Sequence, residues 1–187
     1  MAVLYADTHS VYKLLPGCDV WDETRDARRW PGDAPVVAHP PCRLWGQMRK
    51  LSTAPSEERE LALHAVAMVQ KWGGVLEHPK GSTLWRAAGL PEIGERDAHG
   101  GWTAEVHQHW WGHRAEKATR LYVCGCEPEN MPPIKLRFST PTHVVSNGHG
   151  LRKGDAGFRS RVTDRERQAT PRAFAEWMVE VARLCIG

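Results

Sequence analysis

Short valine-rich runs alternate with turn signals through the first eighty residues. Val36-Val37-Ala38 stops at the double proline Pro40-Pro41, and Val75-Leu76 is soon followed by Pro79. An apolar run bounded by proline is typical of a buried strand that ends in a rigid turn. Each of these runs therefore predicts a buried strand. Two further short strands are predicted nearer the start: Val3–Ala6 and Cys18–Trp21.

Between the two valine-rich strands, apolar residues recur at helical spacing. Pro55-Ser56-Glu57-Glu58 indicates a helix start with Ser56 as the N-cap, and Gly73-Gly74 indicates its end. A strand–helix–strand unit normally has parallel strands and a right-handed crossover. If its two strands are neighbours, Cys42 and Glu77 follow carboxyl ends at the same edge of the sheet.

The rest of the chain predicts a second pair of strands and a last helix. Residues 80–101 indicate a loop with one helical turn, whereas Trp102–His109 and Leu121–Gly125 have the pattern of strands that form a hairpin. Residues 128–157 are rich in proline, glycine, serine and asparagine and predict irregular structure. Thr170-Pro171 indicates the start of a helix, with an N-cap followed by an N1 proline.

Composition predicts one folded domain in a reducing compartment. The chain has 187 residues, of which 41% are hydrophobic and 25% charged, enough for a single core. No apolar run approaches the ~20 residues of a membrane span, and the start lacks the pattern of a signal peptide. Five cysteines without a Cys-x-x-Cys pair favour reduced thiols and a cytoplasmic protein with no membrane partner.

Positive charge is concentrated in the last third of the chain. Residues 113–172 contain 12 Lys and Arg against 6 Asp and Glu, although the whole chain carries only +3. Such a surface suits the phosphate backbone of a nucleic acid, and its plain alternative is a solvated face. The predicted phosphate contacts are Arg152, Lys153, Arg159 and Arg161.

Cys42 and Glu77 together suggest chemistry on a pyrimidine. A thiolate adds to the electron-poor C6 of the ring, and a carboxyl group near N3 assists as charge builds there. A cation near O2 adds electrostatic help, for which Lys117, Arg114 and Arg120 are the candidates. Either residue alone favours a buried small side chain or a solvated acid. Both together, each near a proline, favour function.

These motifs resemble those of DNA cytosine-5 methyltransferases. His39-Pro40-Pro41-Cys42 resembles the family's nucleophile loop, and Val75-Leu76-Glu77-His78-Pro79 its Glu-Asn-Pro loop, with His78 in place of Asn. The segment from Trp111 to Val123 is similar to a later motif that contacts the base. The resemblance implies Cys42 as nucleophile, Glu77 as acid and DNA as partner, with the base flipped out or single-stranded. Further substrate contacts are predicted at Arg43, Trp45, His78, Arg114 and Arg120.

The chain departs from that family where the methyl donor binds. The family holds S-adenosylmethionine with a glycine-rich loop after its first strand, but no glycine occurs here before Gly17. Asp22 or Asp26 matches a later acidic position, and with Pro41 they form the predicted cofactor contacts. The large target-recognition insertion shrinks to about residues 127–161. The donor is therefore S-adenosylmethionine bound in an unusual way, or another one-carbon donor.

The resulting prediction is an α/β fold with a Rossmann-like, mainly parallel sheet flanked by helices. It is a truncated methyltransferase-like core (1–125) with an added hairpin, an irregular basic segment (126–170) and a C-terminal helix (171–187). The predicted function is methyl or other one-carbon transfer to C5 of a pyrimidine, most simply cytosine in DNA, with Lys117 as the third catalytic residue. So compact a chain would suit a phage or mobile element.

Two other classes of function stay open. A zinc-dependent nucleobase hydrolase or deaminase is suggested by His39 and Cys42 together with other histidines and cysteines. The expected Pro-Cys-x-x-Cys half is missing, so no metal is expected. The second class is a non-catalytic DNA-binding or accessory protein whose partner supplies the missing cofactor half.

Overall fold

The computed structural model describes residues 1–46, 49–134, 136–137, 139–146 and 151–185. They form a six-stranded sheet in the order β2-β1-β3-β4-β6-β5, with helices packed against it. The strands are β1 (Ala2–Leu4), β2 (Asp19–Trp21), β3 (Val36–Ala38), β4 (Gly74–Pro79), β5 (Trp102–His107) and β6 (Ala118–Cys124). The helices are α1 (Glu58–Trp72), α2 (Leu84–Ala87), α3 (Asp164–Gln168) and α4 (Arg172–Leu184). Within these ranges, no helix combines the length and apolar composition that crossing a bilayer requires.

The first four strands form a parallel half-sheet, as the valine-rich runs predict. β1 pairs with β2 on one side and β3 on the other, and β3 pairs with β4 in the register Val36↔Gly74 and Ala38↔Leu76. Helix α1 connects β3 to β4, so the predicted strand–helix–strand unit is confirmed. Gly74 is required at the start of β4, because a Cβ there would lie 2.0 Å from the Val36 carbonyl oxygen.

The other half of the sheet is antiparallel, so the sheet is mixed. β6 lies between β4 and β5 and runs opposite to both. The predicted pairing of two late strands is confirmed. Its place was not predicted: β6 bonds directly to β4 along six residue pairs. The α/β class is therefore confirmed, while a mainly parallel order holds only for β1 to β4.

Side chains of the sheet alternate between two apolar cores. Val37 and Val75 lie in the core that contains Tyr12 and α4. Leu76 lies in the opposite core with α1. Because successive strand residues point to opposite faces, His39 and Glu77 belong to the α4 face and His78 belongs to the α1 face.

Details of three helices differ from the sequence predictions. Helix α1 begins at Glu58 after a turn in which Arg59 N donates to the Ser56 carbonyl, so Ser56 is not its N-cap. The last helix spans Arg172–Leu184, as predicted, but its N-cap is Pro171 instead of Thr170. The segment predicted to be irregular contains α3, whose first turn is capped by the Thr163 hydroxyl.

Candidate active site

The candidate site lies at the carboxyl ends of β1, β3 and β4. The chain leaves β1 for β2 on one side and later places β3 on the other, which makes a topological switch point. In open α/β sheets, the crevice outside such a point is where ligands bind. Here Tyr12, from the 3-10 turn Val11–Leu14 after β1, is fully buried and reaches the residue after β3.

A hydrogen-bonded chain of five side chains runs along this edge. His39 Nε2 lies 2.8 Å from the Tyr12 hydroxyl, and His39 Nδ1 lies 3.1 Å from Glu77 Oε2. Gln108 Nε2 donates to Glu77 Oε1 at 3.2 Å and to the Thr119 hydroxyl at 3.2 Å. The parallel register of β3 and β4 sets His39 beside Glu77, because Ala38 and Leu76 are the preceding pair.

Glu77 is held as a carboxylate by its neighbours. Burial by itself raises the pKa of this group, but the hydrogen bond and charge of His39, with Lys117 and His78 nearby, outweigh it. The net effect lowers the pKa of Glu77 to about 2. Both carboxylate oxygens also have hydrogen-bond partners, which stabilises a buried anion. At rest, therefore, Glu77 carries no proton to donate.

Cys42 follows the double proline at the mouth of this site. Cys42 is an exposed residue, whereas the other four cysteines are buried or half-buried. The carbonyl of Cys42 accepts hydrogen bonds from Trp45 N (3.1 Å) and Gly46 N (2.8 Å), which fixes the turn. Surrounding protein atoms and the charge of Glu77 raise the pKa of the thiol, while Lys117 and Arg167 oppose them. The resting group is a thiol.

Lys117 enters the site from the start of β6. Its backbone has φ 44°, a left-handed conformation that is uncommon for a residue with a side chain. Its Nζ donates to the Ala169 carbonyl at 2.9 Å. Burial lowers the pKa of this amine, whereas the charges of Glu77 and Cys42 act to raise it. The structure thus brings the three predicted catalytic residues, Cys42, Glu77 and Lys117, within electrostatic reach of one another.

Two predicted substrate contacts lie in the other core. His78 is fully buried and packs edge-on against Trp85, with ring centroids 6.3 Å apart. Neither ring nitrogen has a well-aligned hydrogen-bond partner among the described residues. Burial lowers the pKa of His78 to about 4, although the charge of Glu77 and the nearby Pro41 backbone act to raise it. Trp45 is 2% exposed and packs in the same core. These two side chains are therefore separated from Glu77 by the sheet.

The predicted arginine contacts to the base are all engaged in ion pairs. Arg43 binds Glu58, and Arg114 binds Glu166 and His143. Arg120 lies 3.1 Å from Glu92. Because Tyr122 packs in the α1 core, Arg120 also starts from that face of β6. The structure does not bring these three side chains to the thiol.

The acids predicted to bind the methyl donor lie beyond β2. The Asp22 carboxylate is buried, with Lys13 Nζ at 2.6 Å and the Thr24 and Arg25 backbone N–H groups as further donors. Asp26 pairs with Arg28 at 2.8 Å. Pro41 stays next to the thiol in sequence. Asp22 also lines a cavity of about 430 Å³ with Lys13 and Arg25.

The predicted phosphate contacts are on the surface of the C-terminal third. Arg152 and Lys153 are exposed. Arg159 donates to the Pro141 carbonyl at 3.1 Å, and Arg161 pairs with Asp164 at 2.6 Å. Nearer the site, Arg167 of α3 contributes positive charge to the surroundings of both Cys42 and Lys117.

Sequence reasoning missed Tyr12, Gln108 and Arg167. Tyr12 lies in a segment without a recognisable motif. Gln108 fell inside a predicted strand, but β5 ends at His107 and a 3-10 turn carries Gln108 back toward β6. A strand prediction that ended one turn earlier would have placed an amide at this edge. Arg167 lies in α3, within the segment that was predicted to be irregular.

Among the described residues, no three His, Cys, Asp or Glu side chains are grouped so that they could share a metal ion. Comparisons with protein-family models, curated proteins and solved structures find no match for this chain. The chemical argument therefore depends on the site's own geometry.

Proposed function

We propose that this protein modifies C5 of a pyrimidine in DNA, with cytosine as the simplest target, through a covalent bond from Cys42. One observation carries the proposal: an exposed cysteine residue stands at a sheet edge beside an ionised, hydrogen-bonded glutamate and a lysine. Thiol, carboxylate and cation are the three groups that addition to a pyrimidine ring requires. The resemblance to cytosine-5 methyltransferases adds the same roles for Cys42 and Glu77.

The covalent step uses this chain's own side chains. Cys42 loses its proton to solvent, and the thiolate sulfur bonds to C6 of the ring. The electron pair of the C5–C6 double bond moves toward N3, which receives a proton from the Glu77 side. The Lys117 ammonium stabilises the charge at O2. C5 then attacks a one-carbon electrophile, whose carbon releases its leaving group to solvent, and N3 returns its proton to Glu77. Solvent takes the proton from C5, and the thiolate leaves C6 to restore the double bond.

The one-carbon donor is proposed by class only. The segment after β1 lacks the glycine-rich loop with which the family holds S-adenosylmethionine, so no step is assigned to that molecule. An electrophile that approaches C5 from the solvent-facing side of Cys42 supplies the carbon that C5 attacks. We also propose that the fold is Rossmann-like. The order of the parallel strands β1 to β4 supports this description, and the antiparallel strands β5 and β6 extend the sheet.

DNA containing 5-fluorocytosine tests the covalent step. Fluorine at C5 prevents the final proton loss, so a completed transfer leaves protein and DNA joined. We expect a complex that survives denaturation with the wild type and is lost in Cys42→Ala, while Cys18→Ala behaves as the wild type. Reactions with and without S-adenosylmethionine, followed by mass spectrometry of the adduct, give the mass of any transferred group. Equal behaviour of the wild type and Cys42→Ala would show that the nucleophile is misassigned.

A DNA-binding protein without catalysis is the second candidate. The buried Tyr12 in the switch-point crevice favours it, because that crevice is where a cofactor would lie. This candidate predicts salt-dependent binding to DNA whose bases stay unaltered. Lys153→Ala is expected to lower the slope of log affinity against log salt by about one. Arg28→Ala, in an ion pair near β2, is the matched control and should leave the slope unchanged.

A further inference from the structure

We propose that His39 is the positioning residue that holds the proton for Glu77, and that Tyr12 keeps the His39 ring in place for this task. The inference rests on the proposed function, because Glu77 is the group that serves N3 of the pyrimidine. It assigns roles to two residues for which the resemblance to cytosine-5 methyltransferases implies none.

The geometry leaves His39 between two partners. Its Nδ1 lies 3.1 Å from Glu77 Oε2 and its Nε2 lies 2.8 Å from the Tyr12 hydroxyl, so both ring nitrogens are in use. The side chains of His39 and Glu77 are only 11% and 13% exposed. A ring fixed at both nitrogens and shielded from water passes a proton in one direction, toward the carboxylate.

Tyr12 can satisfy His39 in either protonation state. When Nε2 is bare, the Tyr12 hydroxyl donates to it. When Nε2 carries hydrogen, the hydroxyl accepts that bond and turns its own proton toward Met178 Sδ, which lies 3.9 Å away. A hydroxyl can be donor and acceptor by rotating, and burial keeps Tyr12 itself neutral by raising its pKa. Protonation of His39 therefore leaves no buried group unpaired.

The proton balance of the covalent step follows directly. As the Cys42 sulfur bonds to C6, the proton on His39 Nδ1 moves to Glu77 Oε2, and Glu77 passes a proton to N3. Glu77 is thus a carboxylate before and after the step. The imidazolium becomes a neutral imidazole, whose Nε2–H bonds the Tyr12 oxygen. One proton has moved from His39 to the ring, and the charge of the entering thiolate is neutralised.

Several charged or titratable groups surround this pair. Glu77 faces His39 from β4 and Tyr12 faces it from the turn after β1. Lys117 and His78 act on Glu77, and Glu77 acts on Cys42. Arg167 acts on Cys42 and Lys117. The positive members of this set favour the carboxylate form of Glu77. A proton supplied by His39 is therefore needed at the moment of addition.

The pH dependence of adduct formation separates this role from a purely structural one. With 5-fluorocytosine DNA, the wild type is expected to give a bell-shaped rate profile, since addition needs a thiolate and a protonated pair. His39→Asn keeps an amide near Glu77 but has no transferable proton. We expect its rate to fall about 100-fold with DNA affinity unchanged, and its alkaline limb to disappear.

Two control variants sharpen the result. Gln108→Met removes the other hydrogen bond to Glu77 and should slow the reaction without changing the shape of the profile. Tyr12→Phe should narrow the bell, because protonated His39 then lacks an acceptor. A Cys42-dependent adduct with the same profile in His39→Asn and the wild type would overturn the role of His39 and leave the proposed function intact.

A direct measurement covers the case in which the wild type forms no adduct and the proposed function fails. Carboxyl carbon NMR follows the ionisation of Glu77 without DNA. The structure assigns to His39 the main opposition to burial at this group, so His39→Ala should raise the pKa of Glu77 far above about 2. An unmoved titration of Glu77 would overturn the pairing on which the inference depends.

Discussion

Glu77 and His78 are adjacent in β4, yet they lie in opposite surroundings. On the α4 face, Glu77 has hydrogen-bond partners for both oxygens and joins a chain that reaches Tyr12. On the α1 face, His78 is fully buried, and neither of its nitrogens has a well-aligned hydrogen-bond partner among the described residues. The one-residue alternation of a strand thus separates a polar network from a dry core.

The two histidines that precede prolines show the same difference between the faces of the sheet. His39 and His78 each stand next to a proline at a strand end, and both look like candidates for a site. Only His39 lies on the face that carries Glu77. A histidine near a predicted cleft is therefore informative only once the face of its strand is known.

The largest expected effect tests the polar face. His39→Ala leaves Glu77 buried without its main partner, which costs roughly 3 to 5 kcal/mol of unfolding free energy at pH 7. The ordinary pKa of Glu77 is 4.5 and its folded value is about 2, so its stabilisation is present above pH 4.5 and is lost as pH falls toward 2. Urea unfolding across this range should show the variant's deficit shrinking below pH 4.5. A deficit independent of pH would break the comparison.

A somewhat smaller effect tests the dry face. His78→Leu removes two unpaired nitrogens from the core. The ordinary pKa of His78 is 6.5 and burial lowers it to about 4, so the wild type loses stability as pH falls through that window, by about 3 kcal/mol at most. Relative to their difference at pH 7, the variant should gain that amount by pH 4 in thermal or urea unfolding. If the wild type and the variant lose stability in parallel, His78 is solvated rather than dry.

The smallest expected effect tests whether the reactivity of the Cys42 thiol depends on Glu77 on the α4 face or on His78 on the α1 face. Because Glu77 raises the pKa of Cys42, Glu77→Gln should speed alkylation by iodoacetamide at pH 7.5 by up to about tenfold. Lys117→Met should slow it, since that amine acts in the opposite direction. His78→Leu is the matched control and should leave the rate unchanged. A Cys42→Ala variant identifies the labelled site by mass spectrometry.

The parallel half of the fold was predictable because its signals are local. Valine runs, a helix with an apolar face and a glycine pair identify β3, α1 and β4, and they place Cys42 and Glu77 at one edge. The insertion of β6 beside β4 was not predictable, because antiparallel pairing between distant segments leaves no local signal. That insertion is what carries Lys117 to the edge, so its proximity had to come from the structure.

The hydrogen-bonded chain was the part of the site that could not be predicted from the sequence. Tyr12 lies in a segment without a recognisable motif, and its role depends on a contact with a residue 27 positions away. Gln108 depends on where β5 ends, which is the least certain part of a strand prediction. Glu77 was predicted as an acid, whereas its partners in the structure keep it ionised as a carboxylate.

Gly74 has a consequence for how this protein tolerates change. It lies three positions before Glu77, and Val36, the residue opposite it, lies three before His39. Because any side chain at Gly74 would collide with the Val36 backbone, β3 and β4 would have to separate and carry the two site residues apart. In a random mutagenesis screen for lost activity, Gly74 should therefore score like a residue of the site, although it has no side chain to offer a substrate.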